Sequence, residues 1–374
     1  MNVPVFNLSR AEQRIAKDLD RRWSDLRDRT AFVGGSEVAE FEAAWAQFLD
    51  PQGNTGCVGV ANGTDALELA LRAFDIGPGD EVLVPDFTFV ATASAVALVG
   101  ATPVLVDVDP ATLNLDFDAA ESLVSERTVG YIGVHLYGSP YDLDRGAEFA
   151  KRHGLWVLED AAQAHGASWQ ERNVGTFGDL ATWSFYPSKN LGCFGDGGAV
   201  TGPREDLLDK VRRLADHGRQ EHYWHDRVGR NSRLDGLQAA VLNARLPLLN
   251  KDNDRRRDIA SRYAAAIANR PEMRVLTQDS RGRGVFHQFV VLVDERDQAK
   301  EQLAEMGIGS AIHYPAPLHI QPLWRVRPEV VRGEYSVAVR AAKEVLCLPM
   351  FAELTEAEVE AVVAALNRLK SQAA

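Results

Sequence analysis

A lysine sits in an unusual place in the stretch SFYPSKNLG, residues 184–192. Phe185 and Tyr186 close an apolar run, Pro187 breaks it, and Lys189 precedes the glycine cluster GCFGDGG of 192–198. Lysine heads normally sit in water. In a low-dielectric pocket the amine sheds its proton more readily, because burial disfavours the charged form. The neutral amine then attacks carbonyl carbons. Taken alone, the stretch also fits a solvated loop lysine.

Three other stretches carry residues of a matching kind. VANGTDALELAL (60–71) leads an apolar strand into Asn62-Gly63-Thr64 and a helix from Asp65. Glycine lets a ligand approach the backbone, and the free N–H groups and dipole of a helix start suit a phosphate. An ordinary turn capped by Thr or Asp would leave the same trace. VPDFTFVATASA (84–95) places Phe87 and Phe89 just after a strand, where ligands sit in open α/β sheets. Each is either a stacking surface for a flat ring or a core residue. LEDAAQAHGAS (158–168) puts Asp160 at the end of the apolar run LWVL, with Gln163 and His165 within a turn. A carboxylate there needs a partner. A cationic ring nitrogen is one, and the start of the next helix is another.

A phosphate seat, a ring-facing aromatic, an acid for a ring nitrogen and an amine for an aldehyde are the four needs of pyridoxal 5′-phosphate. They occur in that order, each at the end of an apolar run, so the elements between them must bring these ends together. The runs GCVGV (56–60), EVLVP (81–85), PVLVDV (103–108), VGYIGVHL (129–136), LWVLED (155–160), ATWSFY (181–186) and GAVTG (198–202) read as buried strands. Helix-period segments separate them, including Asp65–Phe74, Asp142–His153 and Glu205–Ala215. This alternation predicts an α/β fold with a mostly parallel sheet covered on both faces. Past Asn231 the texture changes to long charged helices. FHQFVVLVD (286–294) and SAIHYP (310–315) read as strands, and AEVEAVVAALNRLKSQ as a terminal helix. With 374 residues, two domains are expected: a large one over 1–245, including the N-terminal helical segment, and a smaller α+β one over 246–374.

Bulk properties exclude several classes. The formal net charge is −12, which disfavours nucleic acid or an anionic membrane as main partner. The segment from Phe87 to Val106 carries no charge over a length that would span a bilayer. Thr88, Thr92, Ser94, Gly100, Thr102 and Pro103 interrupt it, and it reads instead as a buried helix, a turn and a buried strand. Cys57, Cys193 and Cys347 are far apart, so neither a metal site nor a disulfide framework is signalled. A reducing cytoplasm fits them, and the N-terminus lacks a signal-peptide pattern.

On this evidence the chain resembles the DegT/DnrJ/EryC1 group of fold-type I pyridoxal-phosphate sugar aminotransferases. NGTDAL, GDEVLVPDFTFVATASAV, GATPVLVDVDPATLNLD, EDAAQAHGA, FGDLATWSFYPSKNLGCFGDGGAV, HGR, GRNSRLDGLQAAVL and HYPAPLHIQP carry the likeness nearly end to end. The resemblance implies that Lys189 bonds the cofactor covalently, Asp160 pairs with the pyridine nitrogen and Phe89 stacks on the ring. Gln163 would approach the ring hydroxyl. Gly63, Thr64 and Ser184 would hold the phosphate, with Asp65 orienting the cradle. Asn231 would reach the phosphate from a neighbouring subunit, which requires a homodimer. Related dehydratases carry histidine at the lysine position, so Lys189 implies transamination, with L-glutamate as donor and a nucleotide-linked ketosugar as acceptor.

SFYPSKNLG with GDGG, HLYG and HGR resembles members acting on C-3 ketones. The acceptor would be a dTDP-3-keto-6-deoxyhexose or a UDP-2-acetamido-3-ketohexuronate; a C-4 ketosugar or a cyclitol is the alternative. Substrate contacts are expected from His217, Tyr223, Arg230 and Arg233 in the basic, aromatic stretch 217–234, and from His313, Tyr314 and His319 in the smaller domain. A reading of another class is a cofactor-binding regulator, which should bring a DNA-binding segment or a basic tail.

Overall fold

A computed structural model describes residues 2–369. Its centre is a seven-stranded sheet in the order Gly56–Val60, Gly198–Gly202, Leu180–Ser184, Trp156–Asp160, Thr128–Val134, Glu81–Pro85 and Thr102–Val106. Gly198–Gly202 runs antiparallel to both neighbours, and all other pairings along the sheet are parallel. The six strands apart from Gly198–Gly202 therefore end on one edge, and Gly198–Gly202 begins there.

Period-two patterning explains why the sheet is covered on both faces. Val82 and Val84 enter one hydrophobic core, with Ala66, Leu69, Val96 and Val211 from the helices Gly63–Ala73, Ala91–Leu98 and Glu205–Ala215. Leu83 between them enters the opposite core, with Ile15, Leu19, Phe41, Trp45 and Leu242. Leu105 against Val104 and Val106 repeats the split. The uncharged segment 87–106 resolves into the buried helix Ala91–Leu98, a turn and the strand Thr102–Val106. Among the described residues no helix is long and apolar enough to cross a membrane.

Beyond the helix Leu249–Ile267 lies a three-stranded antiparallel sheet, Met273–Val275, Phe289–Val293 and Val345–Leu348. Phe289, Val291 and Val293 face a third core shared with Ile259, Tyr263 and Val362. Val290 and Leu292 face the first core. Val3, from the far N-terminus, also packs in the third core and bridges Ile308.

SAIHYP was expected as a strand and is not one. Only Ala311 bridges Cys347, after which the chain leaves the sheet. Pro315 and Pro317 lack the N–H groups that a ladder needs. The terminal helix runs Glu356–Arg368, and the last residues of its expected span lie outside the described residues.

Candidate active site

Strand ends bring the four stations to one cavity of about 510 Å³ on the common edge of the large sheet. Its wall includes Asn62, Gly63 and Thr64, then Thr88 and Phe89, then Asp160 and Gln163, then Ser184 and Lys189. His287, Gln288, His313 and Tyr314 from the C-terminal part complete it.

At the first station Asn62 caps the helix, accepting the Asp65 N–H at 2.8 Å. The N–H groups of Gly63 and Thr64 have no acceptor among the described residues and lie on the cavity wall, which suits an anion at a helix start. Gly63 also meets the neighbouring strand end. A Cβ there would come within 2.7 Å of the Ser184 Cβ and 3.3 Å of its Cα. Overpacking of this kind costs about 1–3 kcal/mol. Gly63→Ala should therefore weaken pyridoxal phosphate retention by about tenfold or more, measured by equilibrium dialysis of the holoenzyme. Unchanged retention would mean that the seat does not depend on this close approach.

Of the two phenylalanines, Phe87 is core. Phe89 is 54% exposed and lines the cavity, its ring centroid 6.2 Å from that of Tyr314. Asp160 is buried at the end of its strand. One oxygen accepts from the Thr92 hydroxyl at 2.9 Å, the other from the Ala162 N–H at 3.2 Å. Burial pushes its carboxyl above the usual carboxylate range. Those two hydrogen bonds and the Lys189 charge pull it back. Gln163 accepts the Tyr137 N–H and donates to the Tyr314 hydroxyl.

Lys189 follows the break after Ser184, and its N–H bonds back to the Tyr186 carbonyl. Burial pushes its amine down to about 8, opposed by the Asp160 charge. It forms no ion pair or side-chain hydrogen bond among the described residues. An amine in this state is partly neutral near pH 8 and free to react. His165 and His287 are held below the ordinary histidine range by burial and by the charge of Lys189, so these two neighbours of the lysine are neutral and Asp160 is the charge that faces it.

The remaining expected residues divide. His313 and Tyr314 line the cavity. His319 does not. Its N–H and its Nδ1 meet the buried Asp86 at 2.7 and 2.6 Å, and its ring stacks on Tyr335 at 4.4 Å. Burial of Asp86 at a strand end requires such a partner, which fixes the 318–320 turn to that end. Asp65 is off the wall and pairs with Arg230 at 3.1 Å. Arg230 also bonds Glu68, and Arg233 pairs with Asp216 at 3.0 Å. His217, Tyr223, Arg230, Asn231 and Arg233 do not line the cavity.

Sequence reasoning missed His287 and Gln288, read only as part of a strand, and missed Thr88, Tyr186 and Asp196 on the wall. A polar His-Gln pair at the mouth of an apolar run was the available signal. The wall fits pyridoxal phosphate on its own terms. Among the described residues the buried Asp160 carboxylate and the Lys189 amine form no ion pair, two helix-start N–H groups lack acceptors, and an exposed ring faces the same space.

Comparison with known proteins agrees. A family model described as the DegT/DnrJ/EryC1/StrS aminotransferase family matches residues 13–367. The chain is 41% identical to a pleiotropic regulatory protein of Geobacillus stearothermophilus, covering 97% of each chain. It is 43% identical to a UDP-N-acetyl-3-dehydro-alpha-D-glucosamine 3-aminotransferase of Acidithiobacillus ferrooxidans, covering 91% of this chain and 90% of the relative. The crystal structure of DesV from S. venezuelae in complex with a ketimine intermediate superposes with a TM-score of 0.93 at 38% identity, covering 98% of both chains. The chain belongs to the DegT/DnrJ/EryC1/StrS aminotransferase family and is a pyridoxal-phosphate-dependent aminotransferase.

Proposed function

We propose that the chain moves an amino group from L-glutamate to C-3 of a nucleotide-linked 3-ketosugar, as a cytoplasmic homodimer. The observation that carries the chemistry is the juxtaposition of Lys189 and Asp160 on one cavity wall beside the free helix-start N–H groups of Gly63 and Thr64. The C-3 assignment is supported by SFYPSKNLG and GDGG and by the activity named for the Acidithiobacillus relative.

Pyridoxal phosphate, when bound, supplies an aldehyde carbon open to amines and a ring that draws electrons from bonds at the amine-bearing carbon. Gly63, Thr64 and Ser184 would hold its phosphate, Phe89 its ring face and Gln163 its hydroxyl. Asp160 would hold a protonated ring nitrogen by charge. Lys189 Nζ would first engage the aldehyde carbon. Once displaced by the donor's amine, it would take a proton from the donor's α-carbon and later return one in the acceptor half.

The homodimer is supported by what the wall lacks. Lys189 is the only lysine or arginine among the described residues that line the cavity, while Asp160 and Asp196 are acids there. The cofactor phosphate and a nucleotide diphosphate need more cations than this. The segment 217–233 supplies His217, Arg230 and Arg233, and it leaves Tyr223, Trp224 and Val228 strongly exposed, as an arm over a second copy would. Asn231 of the partner subunit would then reach the phosphate.

A regulatory role is not favoured: the Acidithiobacillus relative is named as a sugar 3-aminotransferase, and DesV was crystallised with a ketimine intermediate. The test is incubation of holoenzyme with glutamate and a panel of dTDP- and UDP-linked 3- and 4-ketosugars, read by mass spectrometry. A 3-ketosugar should gain nitrogen. Amination confined to 4-ketosugars or cyclitols would overturn the C-3 reading. Borohydride should fix the cofactor's mass on the peptide containing Lys189, and attachment at another lysine would remove it from its role.

A further inference from the structure

Cys347 lies on the strand Val345–Leu348, 1% exposed and behind the cavity wall. Its thiol donates to Gln288 Oε1 at 2.9 Å, and its sulfur lies 3.3 Å from His313 Nδ1. Gln288 and His313 both line the cavity. The thiol has one proton, and an amide oxygen only accepts. That proton is therefore committed to Gln288, and the sulfur is left to accept from His313 Nδ1–H. Burial keeps both groups neutral, holding the thiol up at about 12 and the imidazole below its ordinary value. A neutral imidazole with its proton on Nδ1 has a bare lone pair on Nε2. A Gln288 amide whose oxygen is held by the thiol keeps its NH2 for another partner. Neither that NH2 nor His313 Nε2 has a hydrogen-bond partner among the described residues.

The thiol is not needed for strand pairing. The backbones of Ala311 and Cys347 already exchange both hydrogen bonds, at 3.0 and 2.8 Å. We propose that Cys347 is a positioning residue for the acceptor. It holds Gln288 as a donor and His313 as an acceptor on the cavity wall, a pair that a sugar hydroxyl satisfies by accepting from one and donating to the other. This rests on the ketosugar reading of the site. With its proton on Nε2 instead, His313 would leave the hydroxyl two donors to accept from and no acceptor for its own proton, and unmatched polar groups are what a hydrogen-bonding site rejects most strongly.

Two variants and one spectrum test it. Cys347→Ala should raise the KM for the ketosugar by about 5–20-fold while leaving the glutamate half-reaction, followed by absorbance without sugar, at its wild-type rate. Cys347→Ser should restore the KM to within about threefold, since a hydroxyl also donates once and accepts. In protein labelled with 15N-histidine, the His313 signal, assigned with His313→Asn, should show the proton on Nδ1 in the wild type. It should show a tautomer mixture in Cys347→Ala. A proton on Nε2 in the wild type overturns the proposal. So does an unchanged sugar KM in Cys347→Ala, or a glutamate half-reaction slowed by the same factor. If the wild type aminates no ketosugar, the functional reading fails, while the spectrum still decides the placement of the His313 proton. If Cys347→Ala does not fold, the wild-type and Cys347→Ser spectra decide it.

Discussion

Lys189→Ala is expected to retain pyridoxal phosphate and to lose turnover. The seat does not depend on the lysine: the Gly63 and Thr64 N–H groups, Ser184, Phe89 and Asp160 remain on the wall. Turnover does depend on it, because among the described residues no other amine lines the cavity, and burial makes the nearby imidazoles of His165 and His287 poor proton acceptors. Removing the proton carrier alone costs about 10²–10⁴-fold, and the loss of the nucleophile adds to that. Stopped-flow absorbance with glutamate measures the first half-reaction, and dialysis measures retention. A variant with near-normal rates would show that the proton moves by another group. The pH dependence has a definite sign. The Lys189 amine titrates at about 8, so it is protonated and unreactive below that value and neutral above it. Uptake of the cofactor by apoenzyme should accelerate through pH 8 and then level off. A flat profile between pH 7 and 9 would mean that burial does not depress this amine.

The order of the sheet's chemistry was readable from the chain because each station is local. A strand that must be buried on both faces is a continuous apolar run, and the polar residue that ends it marks the edge. Asp160 after LWVL and Ser184 after LATW are examples. Lys189 could be picked out because Pro187 and the glycine cluster bracket it. Contacts between distant segments were not readable. His287 and Gln288 reach the wall only because the smaller sheet sits against the edge of the larger one, and no local pattern fixes that. His319 was misplaced for the same reason: its partner Asp86 is far away in sequence, and only the fold shows that the ring is committed to it. SAIHYP has the β-branched and aromatic content of a strand, but its flanking prolines decided the outcome. The regulatory alternative shares the cofactor residues with the enzyme, so neither those residues nor the cavity they form separates the two.

Asp160→Asn is expected to lower turnover by about 10³-fold while leaving the fold intact. The substitution keeps the side-chain shape, and an amide oxygen can still accept from Thr92 or from the Ala162 N–H. What it removes is a carboxylate buried at a strand end, whose pKa burial raises while two hydrogen bonds and the Lys189 charge favour its ionised form. A fixed charge in a dry site acts with little screening, and losses of this kind run to about 3–4 kcal/mol. The cost should fall on proton removal from the donor, not on glutamate binding, so the rate constant of the first half-reaction should drop more than its KM rises. The same variant acts on the lysine. The Asp160 charge is the influence that raises the Lys189 amine against burial, so without it the amine should titrate below about 8. Cofactor uptake by Asp160→Asn apoenzyme should then level off at lower pH than the wild type. A slowed half-reaction with an unmoved uptake profile would place Asp160 near the reaction but out of electrostatic contact with Lys189. An unchanged half-reaction would reduce Asp160 to a carboxylate that secures its strand end through Thr92 and the Ala162 N–H.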